Sequence, residues 1–398
     1  MNLLQIDIKH SKPLPFVAIS LLILHLTVSF FDMEMFMASY AALAGMLVVF
    51  FGSIMLFARQ KTLHQFDFLV LLFVFILEGL SLLNGTDWKN WLYSTLSISA
   101  YIFIFNYYQE RFHILIFGIL SVLSIAIYCQ VYQCITHPEM WLIENTKDLH
   151  GFILGGNYNQ MGSRFIIALT AGMLSIRYSK WLWLNLVPLF LCCFTILFMV
   201  KSMTALSCLF LFLLFFLVPN KRLLSFGAIC VYVGAVLFQG IVCFSGTGLE
   251  NNDLARWFIV DVLEKDMTFT GRTEMWDSAI RVIAESPVWG YGFADADWFR
   301  AHMSNRAVGA HNFILNTMVY GGIILLALYF AIIFKSIGNL IRINDICSIK
   351  MIAAFGIMSI MMLFEVYETA LVFLMLTIMY YYPGQESPDN LKSDAREQ

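Results

Sequence analysis

The sequence predicts an all-α, polytopic membrane protein, and three observations carry that prediction. Of its 398 residues 60% are apolar or aromatic and only 13% are charged, against about 25% charged in a water-soluble domain. Apolar stretches close to the ~20 residues that a spanning helix needs recur along most of the chain. The cations between those stretches alternate in a way that fixes an orientation. Twelve spans of this length would take roughly 240 residues, which matches the apolar share and leaves little for an independent soluble domain. The net charge of −3 supplies no cationic surplus for phosphate neutralisation and argues against a nucleic-acid partner.

Unbroken apolar runs place the twelve spans near residues 14–31, 35–57, 66–83, 91–108, 112–135, 153–176, 181–200, 202–218, 223–245, 311–334, 351–365 and 369–382. The first run follows Lys9 and Lys12, and no small-residue cleavage pattern precedes Asp32, so it reads as an uncleaved anchor. With the N-terminus inside, Lys9, Lys12, Arg59, Lys61, Arg111, Arg177, Lys180, Lys221, Arg222, Lys335, Arg342, Lys350, Lys392 and Arg396 all fall on the cytoplasmic side. The short outer loops hold only Lys89, Lys147 and Lys201. That imbalance puts both termini in the cytoplasm.

Residues 1–382 form one polytopic membrane domain in this reading, and the polar tail 383–398 is disordered and cytoplasmic. Residues 246–310 stand apart as a large external loop between the ninth and tenth spans, with about twice the charge density of the chain as a whole. Within it Met275, Ala279, Ile280 and Ile283 have helical spacing, and Ser286-Pro287 ends the run. An amphipathic helix over the membrane face is expected there. No long internal repeat is visible, which weakens the case for a transporter built from inverted repeats.

The eight cysteines lie mostly inside apolar runs and show no zinc-site spacing. They read as small lipid-facing or core residues, with Cys129 and Cys134 the one pair worth testing for a disulfide. Charged groups inside a membrane are functional candidates by default. Arg164 is the first, in a polar, glycine-bearing helix start that includes Asn159. It is placed either to bind an anion or to pair with a buried acid such as Glu78, Glu365 or Glu368. Lys201, in a tight outer turn, is either a second cation for a diphosphate or a lysine snorkelling at the interface.

The external loop carries the most specific pattern: Gly271-Arg272 with Trp276, then Arg281, Pro287, Gly290 and Gly292, and later His311-Asn312 followed by Gly321-Gly322. Together these resemble the bacterial O-antigen ligase and surface-polysaccharide polymerase superfamily, whose members share a Gly-Arg-x3-Trp opening, a Pro-x2-Gly-x-Gly turn and a His-Asn before the next span. The resemblance covers roughly residues 151–330 by motif. Met203 departs from it, since the family often has a cation after the serine that corresponds to Ser202, and Lys201 is the substitute here.

The resemblance implies a glycosyltransferase of GT-C-like architecture acting on the outer face of the bacterial cytoplasmic membrane. Its donor would be a glycan linked through pyrophosphate to undecaprenol, and its acceptor a sugar hydroxyl. Other polysaccharide-assembly proteins are candidate partners. No cofactor is implied, and the chemistry is expected to be metal-independent. A pyrophosphate leaves readily, so the site needs cations for its growing charge more than a general acid. Arg272 is the first choice, with Arg164, Arg281 and Lys201 as partners, because a guanidinium holds two phosphate oxygens at once. His311 is the candidate general base, its ordinary pKa near 6.5 suiting neutral pH. The alternative is a residue at a helix start that positions the acceptor. Asn312 either orients the imidazole or caps the helix.

Other acids compete for a role. Glu274 and Asp277 flank Trp276, Asp295 and Asp297 follow the glycine turn, and Asp32 with Glu34 would suit a metal-dependent variant of the mechanism. A polymerase that joins repeat units, a ligase that delivers the finished glycan to a lipid A core, and a twelve-span transporter are the functions to separate.

Overall fold

A computed structural model describes residues 47–55, 58, 62–137, 154, 160–244, 271–305 and 307–384. The expected first span, most of the second, Asp32, Glu34, Asn159 and the tail from residue 385 on lie outside the described residues. Among those described, the regular structure is helical and there is no strand. In chain order the helices are α1 (Gln65–Asn84), α2 (Trp88–Tyr107), α3 (Phe112–Thr136), α4 (Met161–Ser175), α5 (Trp183–Met199), α6 (Met203–Leu217) and α7 (Lys221–Phe238), which runs on as a π-helical turn, Gln239–Cys243. They continue with α8 (Arg272–Glu285), α9 (Ala296–His302), α10 (Phe313–Ile343), α11 (Ile346–Met362) and α12 (Thr369–Tyr381).

Five stretches among the described residues are long and apolar enough to cross a membrane: Gln65–Asn84, Gln109–Thr136, Lys180–Met199, Lys221–Cys243 and Phe313–Ile343. The apolar helices α4, α6, α11 and α12 fall short of the ~20 residues of a full span. Burial explains two of them. Every residue of α4 is buried, as are eleven of the thirteen in α12, so these helices are apolar all round because they meet protein on every side. α12 packs against α2, α4, α10 and α11, while α4 packs against α3, α5, α6, α11 and α12.

A second, smaller core sits beside this bundle. Trp276, Ala279, Val282 and Ile283 of α8 are buried against Phe299 of α9 and against Leu315 and Val319 at the start of α10. This is the expected amphipathic helix, with its buried face centred on Trp276, and burial of each large side chain contributes about 1.5–3 kcal/mol.

The turn Pro287–Gly292 and the break in α10 are one device. α10 loses helical geometry at Gly321 (φ −144°) and Gly322 (φ 58°), which strands the carbonyls of Val319 and Tyr320 and the N–H groups of Ile323 and Ile324. The turn meets all four: Tyr291 N donates to Val319 O (3.0 Å), Gly292 N to Tyr320 O (2.8 Å), Ile323 N to Pro287 O (2.9 Å) and Ile324 N to Val288 O (3.5 Å). A broken helix in or near lipid needs such substitutes. The approach is so close that a Cβ on Gly290 would stand 2.6 Å from Gly321 N, and one on Gly322 2.3 Å from Val288 O. The glycine pattern that looked like a motif of the site is thus the clasp that seats the loop on α10.

Polar contacts sort the chain into two ends. At one end Lys335 reaches Gln65, Lys221 reaches Asn344 O, Lys350 reaches Phe216 O, and Arg177 bonds Tyr382 and Gly384 O. At the other end the residues around 160–164, 239–243, 271–272, 311–312 and 363–368 meet. All eight cysteines are free, Cys129 exposed and Cys134 buried.

Candidate functional site

The segment between α11 and α12, residues 363–368, is the hub of that second end. α8 begins at Gly271, whose φ of 80° starts the helix from the left-handed region, and Arg272 follows at once. Arg272 Nε donates to Phe364 O at 2.9 Å, and its Nη2 lies 3.9 Å from Glu365 Oε2. Glu365 Oε1 lies 3.0 Å from His311 Nδ1. One carboxylate, 6% exposed, therefore stands between the arginine and the histidine.

His311 is held under strain. Its φ is 46°, and among the described residues the other non-glycine positive φ values belong to Lys201 (54°) and Asn344 (54°). A left-handed non-glycine residue costs about 1 kcal/mol or more and persists where surrounding contacts impose it. Those contacts are visible: Asn316 Oδ1 accepts from Ala310 N (3.0 Å) just before His311, and Asn312 is fixed just after it. Asn312 caps α10, its Oδ1 accepting from Leu315 N (3.0 Å), while Nδ2 donates to Gln239 Oε1 (2.7 Å) and Leu363 O (3.1 Å). Gln239 opens the π-helical turn, a deformation often found at functional sites.

Arg164 reaches the same hub from α4. It is 3% exposed and its Nη2 lies 2.5 Å from Glu368 Oε1, while Gln160, one turn earlier, donates to Val366 O at 2.9 Å. Of the three acids considered for it, Glu368 is the partner found. Burial pushes the Glu368 carboxyl above its ordinary range, and Arg164 only partly pulls it back. The charge of Arg164 is already matched, which suits a tie between α4 and the hub.

The remaining candidates lie apart from this cluster. Lys201 is exposed in the turn between α5 and α6, at the hub end of the bundle, since Ala205 one turn later packs beside Gly162. Arg281 is nine residues after Arg272, hence half a helical turn out of phase and about 13 Å along α8; it is exposed and bonds Ser278 Oγ at 2.9 Å. Asp295 caps α9 through Trp298 N (2.8 Å), Asp297 pairs with Arg300 in solvent, and Glu274 is exposed. Asn159 lies outside the described residues.

Sequence reasoning missed Gln239 and the carboxylate that joins Arg272 to His311. Both left a signal, a lone amide inside an apolar run and two acids, Glu365 and Glu368, between two spans. Among the described residues no cluster of three or more His, Cys, Asp or Glu side chains is arranged to hold a metal ion.

Residues 186–330 match the family model described as O-antigen ligase. The match runs from α5 to the middle of α10, taking in Lys201, Arg272, Arg281, His311 and Asn312; Arg164, Glu365 and Glu368 lie beyond it. No curated protein matches the chain.

Proposed function

We propose, from the membership of residues 186–330 in the O-antigen ligase family, that this chain is a membrane glycosyltransferase that passes an undecaprenyl-pyrophosphate-linked oligosaccharide to a sugar hydroxyl, polymerising repeat units of a surface polysaccharide. The observation that carries the chemistry is the shared carboxylate between Arg272 and His311 inside and beside the family domain. An ionised Glu365 can only accept, so it holds the proton of His311 on Nδ1 and leaves the lone pair on Nε2. The acceptor hydroxyl attacks the anomeric carbon and gives its proton to that nitrogen. The bond from the carbon to the pyrophosphate oxygen breaks, and its electron pair leaves with the lipid diphosphate.

Arg272 stands at the other oxygen of Glu365 and meets the charge that grows on the leaving group. Its Nε bond to Phe364 O fixes the plane of the guanidinium, which limits what has to reorganise during the reaction. Lys201, exposed at the same end of the bundle, is a further cation for the diphosphate. Arg164 holds the hub in place through Glu368. A single in-line displacement inverts the anomeric centre, and no step in this scheme calls for a metal ion.

The cation-rich end of the bundle faces the cytoplasm in this reading, with both termini there and about twelve spans in a GT-C-like arrangement, and the hub faces outward. A ligase that delivers the finished glycan to a lipid A core uses the same donor and the same residues, and is the second reading because the matched family bears that name. Deleting the gene in its host and resolving surface glycans on a gel separates the two. Single repeat units on their final acceptor indicate a polymerase, and complete glycan stranded on the lipid carrier indicates a ligase. An unchanged profile contradicts both.

A further inference from the structure

At the end of the bundle opposite the hub, α10, α1 and α12 enclose a cavity of about 670 Å³. Its α10 wall is one helical face: Ala331, Lys335, Gly338, Asn339 and Arg342 stand at i, i+4, i+7, i+8 and i+11. Lys335 and Arg342 are two turns apart, about 10 Å along the axis, so both side chains reach a group seated between them. Between them Gly338 leaves the floor open, since a Cβ there would meet nothing within 4 Å.

No acidic partner for this wall stands among the described residues. No carboxylate is among the described residues that line the cavity. Lys335 Nζ donates to Gln65 Oε1 at 2.6 Å, a neutral acceptor, and neither cation takes part in an ion pair among the described residues. A second cavity of about 530 Å³ shares His64, Gln65 and Lys335 with the first and extends over Leu63, Phe68 and Leu69. Its walls are apolar and open, with Phe68 54% exposed. Cationic and apolar compartments thus adjoin at the ends of α1 and α10, two helices long and apolar enough to cross a membrane.

We propose that this composite groove binds one anionic phospholipid, its phosphodiester between Lys335 and Arg342 and an acyl chain along Leu63 and Phe68. A soluble anion would use the first compartment alone, and a zwitterionic lipid would bring a cation into a wall that already carries two. The groove shares no residue with the hub, and the proposal stands whatever reaction the hub performs. Two lysine or arginine contacts at a membrane surface each account for about a fivefold preference.

Native mass spectrometry of the purified full chain, equilibrated in detergent with equal phosphatidylglycerol and phosphatidylcholine of matched acyl chains, tests it. The wild type is expected to retain phosphatidylglycerol in preference, with about a fivefold loss for each of Lys335→Gln and Arg342→Gln. Lys335→Arg is expected to keep the preference. Gly338→Leu, which fills the floor and leaves both cations, is expected to lose it, and this variant decides the matter should the charge-removing ones fail to fold. Equal retention of the two lipids by the wild type overturns the proposal, as does a preference that survives Gly338→Leu. Binding of inorganic phosphate or glycerol phosphate as tight as that of the lipid overturns it in favour of a soluble-anion site.

Discussion

Glu365 Oε1 stands 3.0 Å from His311 Nδ1, across 54 positions of sequence. In the proposed mechanism that contact keeps the imidazole proton on Nδ1, and the opposite oxygen of the same carboxylate faces Arg272 at 3.9 Å. The histidine and the arginine are thereby registered to each other through one side chain rather than through two separate supports.

Replacing Glu365 with glutamine keeps the shape and removes the charge that selects the tautomer. Where a carboxylate fixes the tautomer of a catalytic histidine, the isosteric amide lowers activity by up to about 10⁴-fold. Glu365→Gln is expected to lower transfer by up to that factor at unchanged protein level, measured with purified protein and lipid-linked donor, and Glu365→Asp to fall between it and the wild type.

Arg272 and Arg281 both come from α8 but point to opposite sides of it, and only Arg272 meets the hub. Removing a group that stabilises a leaving charge costs about 10²–10³-fold. Arg272→Ala is expected to lose that much transfer and Arg281→Ala to stay within about threefold of wild type, a margin worth under 1 kcal/mol. Equal losses in the two would mean that the diphosphate lies along the outer face of α8.

The clasp between the glycine turn and α10 makes a stability prediction. Gly322→Ala would add a Cβ 2.3 Å from the Val288 carbonyl at a φ of 58°, so strain and overpacking together should cost about 2–4 kcal/mol. Gly79→Ala in α1, where a Cβ meets nothing within 4 Å, should be neutral or stabilising by up to about 1 kcal/mol. Unfolding in detergent followed by circular dichroism compares them, and equal stabilities would contradict the clasp.

Glu368 gives a pH signature. Its folded pKa is raised above the ordinary 4.5, with burial outweighing Arg164, so the folded state binds this proton more tightly than the unfolded one. That contribution is full below 4.5 and is lost as pH rises through the raised value. The stability of the wild type relative to Glu368→Gln should therefore fall as pH rises from about 4.5 toward neutrality. Arg164→Ala, which leaves the half-buried Glu368 carboxyl without its cation, should also lower stability. A pH-independent difference between wild type and Glu368→Gln would contradict the account of this pair.

Much of the fold was legible because hydrophobic runs and charge placement are local. The runs near 66–83, 112–135 and 181–200 became α1, α3 and α5 within a few residues, and the spacing around Met275 foretold α8. Two things were not legible. Gly321-Gly322 reads as part of an apolar run, and nothing local says that the helix breaks there to be clasped by residues about 30 positions earlier. Glu78, Glu365 and Glu368 read as buried acids open to Arg164, and only tertiary packing shows which cation each one meets: Arg164 has Glu368 in the structure. His311 and Arg272 were found through a motif, but their common partner was not part of it.

The central claim, that Arg272 and His311 act as one outward-facing transfer site, is tested most directly by transfer with purified full chain in detergent and a radiolabelled undecaprenyl-pyrophosphate-linked repeat unit. Release of lipid diphosphate is to be read together with elongation of the glycan. The wild type should yield both in equal amounts, and His311→Ala and Arg272→Ala should yield neither while unfolding at the wild-type temperature. Either variant producing elongated glycan at the wild-type rate would contradict the account.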